Sequence, residues 1–351
     1  MQRYGVLVVD DSSFMRKSIS LIIEKDPQLF VAGIARDGSE AIEKVQRLKP
    51  DIVTMDVEMP EMDGITALGK IMETYPVPVV MLSSYTEEGA EVTIRALEMG
   101  AVDFFLKSEL FEQEVEQEVL DEFLHRLKTI AESAKIPPRE VKVPGDKGIK
   151  STERKSATKG QLVDLLIIGT STGGPAALQS ILPYFPEDTR VPILVLQHMP
   201  PGFTKSLAER FDTFCKLHVK EAEDGDILEA GNIYIAPAGF QTLLAKKNDG
   251  NVAIRVEDSM DEKILYKPSV NITLDSAAPI YKERLLTVIL TGMGDDGLNG
   301  CRSVRKYNGH IIVEAEESCV VYGMPRAVFE AGLADFQVPL SNIYQQIMLY
   351  I

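Results

Sequence analysis

The stretch YGVLVVDDSSFMRKSISLII, residues 4–23, decides how the first half of the chain is read. Val6–Val9 is a short continuous apolar run, the signature of a strand covered on both faces. Met15, Ile19, Ile22 and Ile23 then recur at helical spacing, and Asp10 and Asp11 fall at the junction. Working outward, Val31–Ile34, Ile52–Met55, Val79–Leu82 and Asp103–Leu106 repeat the apolar run, each separated by a helix-like segment. Five such βα units predict an α/β fold with a parallel sheet between two helical layers. A further helical stripe, Val119, Leu120, Phe123, Leu124, Leu127 and Ile130, lies on a segment running from Glu109 towards Ala134.

At 351 residues the chain is long enough for two domains. Residues 136–160, IPPREVKVPGDKGIKSTERKSATKG, hold 7 basic residues against 3 acidic ones, three prolines and three glycines, with no apolar period. That composition reads as a linker. The alternation then resumes in Leu165–Ile168, Ile193–Gln197, Asn232–Ala236, Val252–Val256, Leu286–Leu290 and His310–Val313. Strand and turn signals dominate 217–256, so an antiparallel portion and a mixed, mainly parallel sheet are expected there. The division reads as 1–120, a helical extension and linker over 121–160, and a second α/β domain over 161–351.

The net charge of −16 argues against a nucleic-acid partner, which would need a basic surface to meet phosphates. No apolar run reaches the roughly 18 residues of a membrane span, so no membrane insertion is expected. The start lacks a secretory pattern and three cysteines show no metal-like spacing, which together predict a cytoplasmic protein with reduced thiols.

Two groups of residues carry chemistry. Asp10 and Asp11 follow the first strand and Asp56 the third, so all three carboxylates gather at strand ends. Like charges that close call for a hard cation, and Mg²⁺ suits an all-oxygen set. Ser83 and Lys107 end the fourth and fifth strands, completing a phosphoryl-transfer pocket. For Asp11 or Ser12 alone, a helix cap is an equally good reading.

In the second half, Leu165–Ile168 runs into Gly169-Thr170-Ser171-Thr172-Gly173, a G-x-S-x-G turn, with a helix expected from Gly174 or Pro175. The next strand ends at His198, whereas His125 lies in a charged helical stretch and His218 and His310 lie within strands. The turn Gly292-Met293-Gly294-Asp295-Asp296-Gly297 also fits G-x-G-x-x-G, with Glu314 about twenty residues on, the spacing of a dinucleotide fingerprint. Two carboxylates inside that turn would repel a pyrophosphate, and the alternative is that one of them orients a histidine. Ser171, His198 and Asp296 then supply nucleophile, general base and tautomer-fixing acid from three strand ends. Their order differs from the Ser…Asp…His of ordinary α/β-hydrolases.

VVDDS, MDVEMPEMDG, Ser83 and Lys107 resemble a response-regulator receiver domain over about residues 1–120. The resemblance implies Asp56 as phosphoacceptor, Asp10 and Asp11 as metal-holding residues and Phe104 as the aromatic switch. The family's usual Lys-Pro is here Lys107-Ser108, which puts a cis peptide there in doubt. GTSTGGP, LQHMPPGFT, IAPAG, KPSV, ILTGMGDDG and SCVVYGMP resemble the chemotaxis protein-glutamate methylesterases (CheB) over about residues 163–348. That implies a phosphorylation-activated esterase and glutamine deamidase acting on methylated chemoreceptors, with a chemotaxis histidine kinase as phosphodonor. It further implies Ser171, His198 and Asp296 as triad, the Met293 N–H as oxyanion donor, and no cofactor in the esterase site. Asn271 departs from the family's frequent Pro-Ser-Val-Asp. Two other outputs stay open on the residues alone: a non-catalytic binding module and a phosphate- or NAD-binding domain.

Overall fold

Residues 2–84, 87–111, 117–133, 162–258 and 266–351 are described by the computed structural model, and residues 136–160, read as a linker, lie outside them. The chain forms two compact units, Met1–Pro137 and Pro138–Ile351.

The first unit runs β1 (Tyr4–Val9), α1 (Ser13–Ile23), β2 (Leu29–Ala35), α2 (Gly38–Leu48), β3 (Ile52–Asp56), α3 (Gly64–Thr74), β4 (Val79–Ser83), α4 (Glu87–Glu98), β5 (Asp103–Leu106), α5 (Lys107–Phe111) and α6 (Gln117–Ser133). The strands form one parallel sheet in the order β2-β1-β3-β4-β5. All six residues of β1 are buried, as a strand between two helical layers requires. The Ser12 hydroxyl caps α1 by accepting the Met15 N–H, so it is Ser12 and not Asp11 that ends this helix. Of the expected stripe of α6, Leu120, Phe123, Leu124, Leu127 and Ile130 are buried and Val119 is half-buried, and the helix packs against β1, β3 and α1.

The second unit runs β6 (Leu165–Thr170), α7 (Gly174–Gln179), β7 (Ile193–Gln197), α8 (Phe203–Asp212), β8 (His218–Glu221), β9 (Asn232–Ile235), β10 (Gln241–Lys246), β11 (Val252–Glu257), α9 (Val270–Tyr281), β12 (Leu285–Ile289), α10 (Leu298–Lys306), β13 (His310–Glu314), α11 (Met324–Glu330), β14 (Phe336–Val338) and α12 (Leu340–Ile347). Seven strands pair in the order β14-β13-β12-β6-β7-β9-β8, parallel throughout. The antiparallel portion expected within 217–256 exists as a separate hairpin of β10 and β11, not as a strand of the main sheet. The chain leaves β6 to one side through β7 and later returns to its other side through β12. A crevice therefore opens at the carboxyl end of β6, where the winding changes direction. In the first unit β1 has the same place, flanked by β2 and β3.

Candidate functional site

The acid pocket of the first unit is built from three strand ends. Asp10 and Asp56 are buried and Asp11 is exposed, and one carboxylate oxygen of each lies within 4.8 Å of the others. Lys107 Nζ sits 2.6 Å from Asp56 Oδ2 and 2.9 Å from Asp10 Oδ2. Burial pushes the Asp56 carboxyl up to about 6, even though the Lys107 hydrogen bond and charge work against it. Burial acts to lower the Lys107 ammonium, but Asp56 and Asp10 outweigh it and raise that group. Asp10 Oδ1 accepts the Ser12 N–H at 2.8 Å, while its buried Oδ2 is at ion-pair distance from Lys107 without the alignment of a hydrogen bond. Three hard oxygens, one of them under-satisfied, fit a Mg²⁺ ion. Ser83, buried at the end of β4, lies 2.8 Å from Thr93 Oγ1, and Phe104 is buried in β5. The peptide between Lys107 and Ser108 is trans; the cis bond among the described residues is Lys267–Pro268.

The second site lies at the β6 crevice. β7 and β12 flank β6, so Ser171, His198 and the turn bearing Asp296 follow three neighbouring strands. Ser171 N–H donates to Thr291 O at 3.1 Å, and Ser171 O accepts Gln197 Nε2 at 3.0 Å, which ties the serine turn to both neighbours. Gly173 has φ +79°, and a Cβ there would sit 2.7 Å from Val320, so glycine is required twice over. α7 begins at Gly174, where the turn motif placed it.

His198 Nε2 is 2.9 Å from Asp296 Oδ2. Asp296 is buried and also accepts the Ser269 hydroxyl at 3.0 Å and the N–H groups of Val270 (2.7 Å), Asn271 (3.0 Å) and Gly297 (3.0 Å). Burial alone would raise this carboxyl, but the His198 hydrogen bond and charge and the Asn271 and Val270 N–H groups hold it below its ordinary value. An ionised Asp296 accepts a hydrogen bond from Nε2–H of His198, which leaves the lone pair on Nδ1. Nδ1 is buried and has no hydrogen-bond partner among the described residues. The Ser171 hydroxyl is thus not bonded to the imidazole in this state, a looseness common before substrate binds.

Gly292 closes the other side of the serine. A Cβ on it would lie 2.8 Å from Ser171 Cβ, so the Gly292–Met293 backbone passes directly beside Ser171. No backbone acceptor among the described residues takes the Met293 N–H, whereas Gly292 O is held by the N–H groups of Gly323 and Met324.

Three contributors were given no role by the sequence, although Ser269 and Asn271 lie in or beside the KPSV motif. Tyr266 stacks on His198 with ring centroids 4.3 Å apart and planes 3° from parallel. Ser269 reaches Asp296, and Asn271 Oδ1 accepts the N–H groups of Gly297 (3.1 Å) and Gly300 (2.7 Å), joining the starts of α9 and α10. Glu314 does not serve as a ribose ligand. It is fully buried, and its carboxyl accepts the Thr291 N–H at 2.8 Å and the Ser318 hydroxyl at 2.9 Å. With Asp296 also engaged inward, the G-x-G-x-x-G match has neither the open turn nor the free acid that a dinucleotide needs.

Residues 166–347 match the CheB methylesterase family and residues 6–118 the response regulator receiver domain. The chain belongs to the CheB methylesterase family. A Thermotoga maritima protein-glutamate methylesterase/protein-glutamine glutaminase is 46% identical over 343 residues, spanning 98% of this chain and 97% of that relative. A protein of the same description from Pyrococcus abyssi is 41% identical over 348 residues, 99% of this chain and 93% of that one. Among solved structures, the Thermotoga maritima CheB methylesterase catalytic domain matches with a TM-score of 0.52 and 46% identity, covering 54% of this chain and 99% of that one. No helix among the described residues is long and apolar enough to cross a membrane.

Proposed function

We propose that this chain is a phosphorylation-activated hydrolase that demethylates glutamyl γ-methyl esters, and deamidates glutamines, on bacterial chemoreceptors. The observation that supports it most is the 2.9 Å contact between His198 Nε2 and Asp296 Oδ2 beside a serine on a strand-to-helix turn. Ser171 Oγ attacks the ester carbonyl and its proton passes to Nδ1 of His198, the nitrogen that Asp296 leaves unprotonated. The tetrahedral oxyanion faces the Met293 N–H, and one well-placed donor of this kind contributes about 3 kcal/mol. Collapse expels methanol, which takes the proton back from His198. Water then adds to the acyl-serine by the same route, and the free glutamate departs. Glutamine follows the same path with ammonia as the leaving group.

In the first unit, Asp56 accepts the phosphoryl group from a chemotaxis histidine kinase. Asp10, Asp11 and Asp56 would hold Mg²⁺, which when bound supplies positive charge against the phosphoryl oxygens. Lys107 and Ser83 turn towards the new charge, and that rearrangement raises the esterase rate. Methanol release from methylated receptor, with and without a small phosphodonor, tests both halves. Ser171→Ala should abolish release while Asp56 is still phosphorylated, and Asp56→Asn should remove the response to phosphodonor. Full release by the Ser171 variant would overturn the nucleophile; an unaltered phosphodonor response in the Asp56 variant would overturn the switch.

A further inference from the structure

Tyr266 has no part in the assignments above, and nothing in the motifs marks it. Its ring lies flat over the His198 imidazole at 4.3 Å, covering one face of the group that must accept and release a proton. The backbone that carries the ring is pinned at several points. Buried Gln241 donates from Nε2 to Tyr266 O at 2.7 Å and accepts the Ser269 N–H on Oε1 at 2.8 Å, so one side chain spans 266–269. Gly239 N–H donates to Lys267 O at 3.0 Å, and Ser269 in turn donates to Asp296. The segment that supplies the ring is therefore the segment that clamps the carboxylate. At the far end of the ring, a Cβ on Gly294 would come within 3.0 Å of the Tyr266 hydroxyl, so the lack of a side chain at 294 leaves room for the ring to lie flat.

We propose that Tyr266 is a positioning residue for the hydrolysis, holding the imidazole in plane and stabilising its charged form through the face of its ring. The inference rests on the reading of His198 as general base. Once His198 takes the serine proton it is an imidazolium against an aromatic face, a cation–π arrangement that exists only after proton transfer has begun. The benefit thus falls on the transition state and not on the bound ester, so it appears in kcat and not in KM. The hydroxyl is not the working part; the ring is. A second function of the stack is steric, because the flat ring blocks the imidazole from tilting out of its plane on that side.

The experiment compares Tyr266→Phe, Tyr266→Leu and Ser171→Ala in the full chain, using methanol release from methylated receptor under phosphodonor. Tyr266→Phe should keep kcat within about twofold. Tyr266→Leu should lose about 5- to 20-fold in kcat, the range that a partly desolvated cation–π contact supports, while KM stays within about twofold. Thermal midpoints of both variants are recorded, and a Leu variant that melts with the Phe variant while losing kcat supports the proposal. Equal kcat in the Leu and native chains overturns it, as does an equal loss in the Phe and Leu variants, which would put the effect in the hydroxyl. A KM rise with unchanged kcat overturns it too, since the residue would then be a substrate contact. Activity surviving in Ser171→Ala would instead remove the hydrolase reading on which the proposal stands, so the two failures are separable.

Discussion

Asp56 and Asp296 invite comparison because the two units place them alike. Each is buried at or just past the carboxyl end of a parallel strand, β3 or β12, that borders the crevice where the winding of its sheet changes direction. Their surroundings differ. Asp56 is held by the Lys107 ammonium and the Glu58 N–H, and burial leaves its carboxyl raised to about 6. Asp296 is surrounded by three backbone N–H groups, a hydroxyl and an imidazole, and its carboxyl is held low. Fixed dipoles bonded to every lone pair make a permanent anion, fit for orienting a histidine through every turnover. One ammonium and one N–H leave lone pairs that a metal or a phosphoryl group can claim. Under the proposed function, the same residue type at the same kind of position is scaffold in one unit and reactant in the other.

The comparison breaks most visibly at Asp296. Asp296→Asn keeps most of the shape but offers an amide where the imidazole needs an acceptor, so His198 is held in the wrong tautomer. We expect kcat for methanol release to fall about 10⁴-fold, with Asp56 phosphorylation unchanged; a fall of less than tenfold would mean that the carboxylate does not orient the base. On the other side, Lys107→Ala leaves two buried carboxylates without their cation. The first unit should lose about 3 kcal/mol, read as a lower thermal midpoint that Mg²⁺ partly restores. No change in midpoint, with or without the ion, would show that solvent already compensates these charges.

A smaller effect sharpens the contrast by way of a third buried acid. Burial pushes Glu314 up to about 7, against the hydrogen bonds from Thr291 and Ser318. Its folded value lies above its unfolded one, so the folded state holds the extra proton between about pH 4.5 and 7. Stability contributed by that proton is present below this window and is lost as pH rises through it. Glu314→Gln, whose carbonyl oxygen can still accept the Thr291 N–H while its amide N–H₂ faces the Ser318 hydroxyl, should therefore gain about 3 kcal/mol more at pH 8 than at pH 4.5. Denaturant midpoints at the two pH values check this, and an equal gain at both would assign the effect to packing.

The fold was legible where one physical signal dominated. Asp103–Leu106 and Ile193–Gln197 keep their expected bounds because each is built on a continuous apolar run, Phe104–Leu106 and Ile193–Leu196, of the kind that a strand buried on both faces needs. β10 and β14 were not read: Gln241–Lys246 alternates weakly, and Phe336–Val338 is three residues long. The segment read as one helix from Glu109 is α5 and α6, and α5 already begins at Lys107, with 112–116 outside the described residues. Ser171 and Asp296 stood out because each follows an apolar strand in a glycine-rich turn, and His198 because it ends a strand ahead of a proline-rich loop. Tyr266 and Ser269 gave no such signal. They belong to the chain leading into α9, and their closeness to His198 is a product of folding that no local spacing encodes.

Asn271 bears on this contrast in a way that the geometry of its bonds does not show by itself. Its uncharged amide sits where two helices begin, with one carbonyl oxygen shared between Gly297 and Gly300. An acid there would place a second anion on the same cluster of N–H dipoles, and the two would compete for one positive field. By staying neutral, residue 271 lets Asp296 draw on the combined potential of both helix starts and pass it undivided to the imidazole.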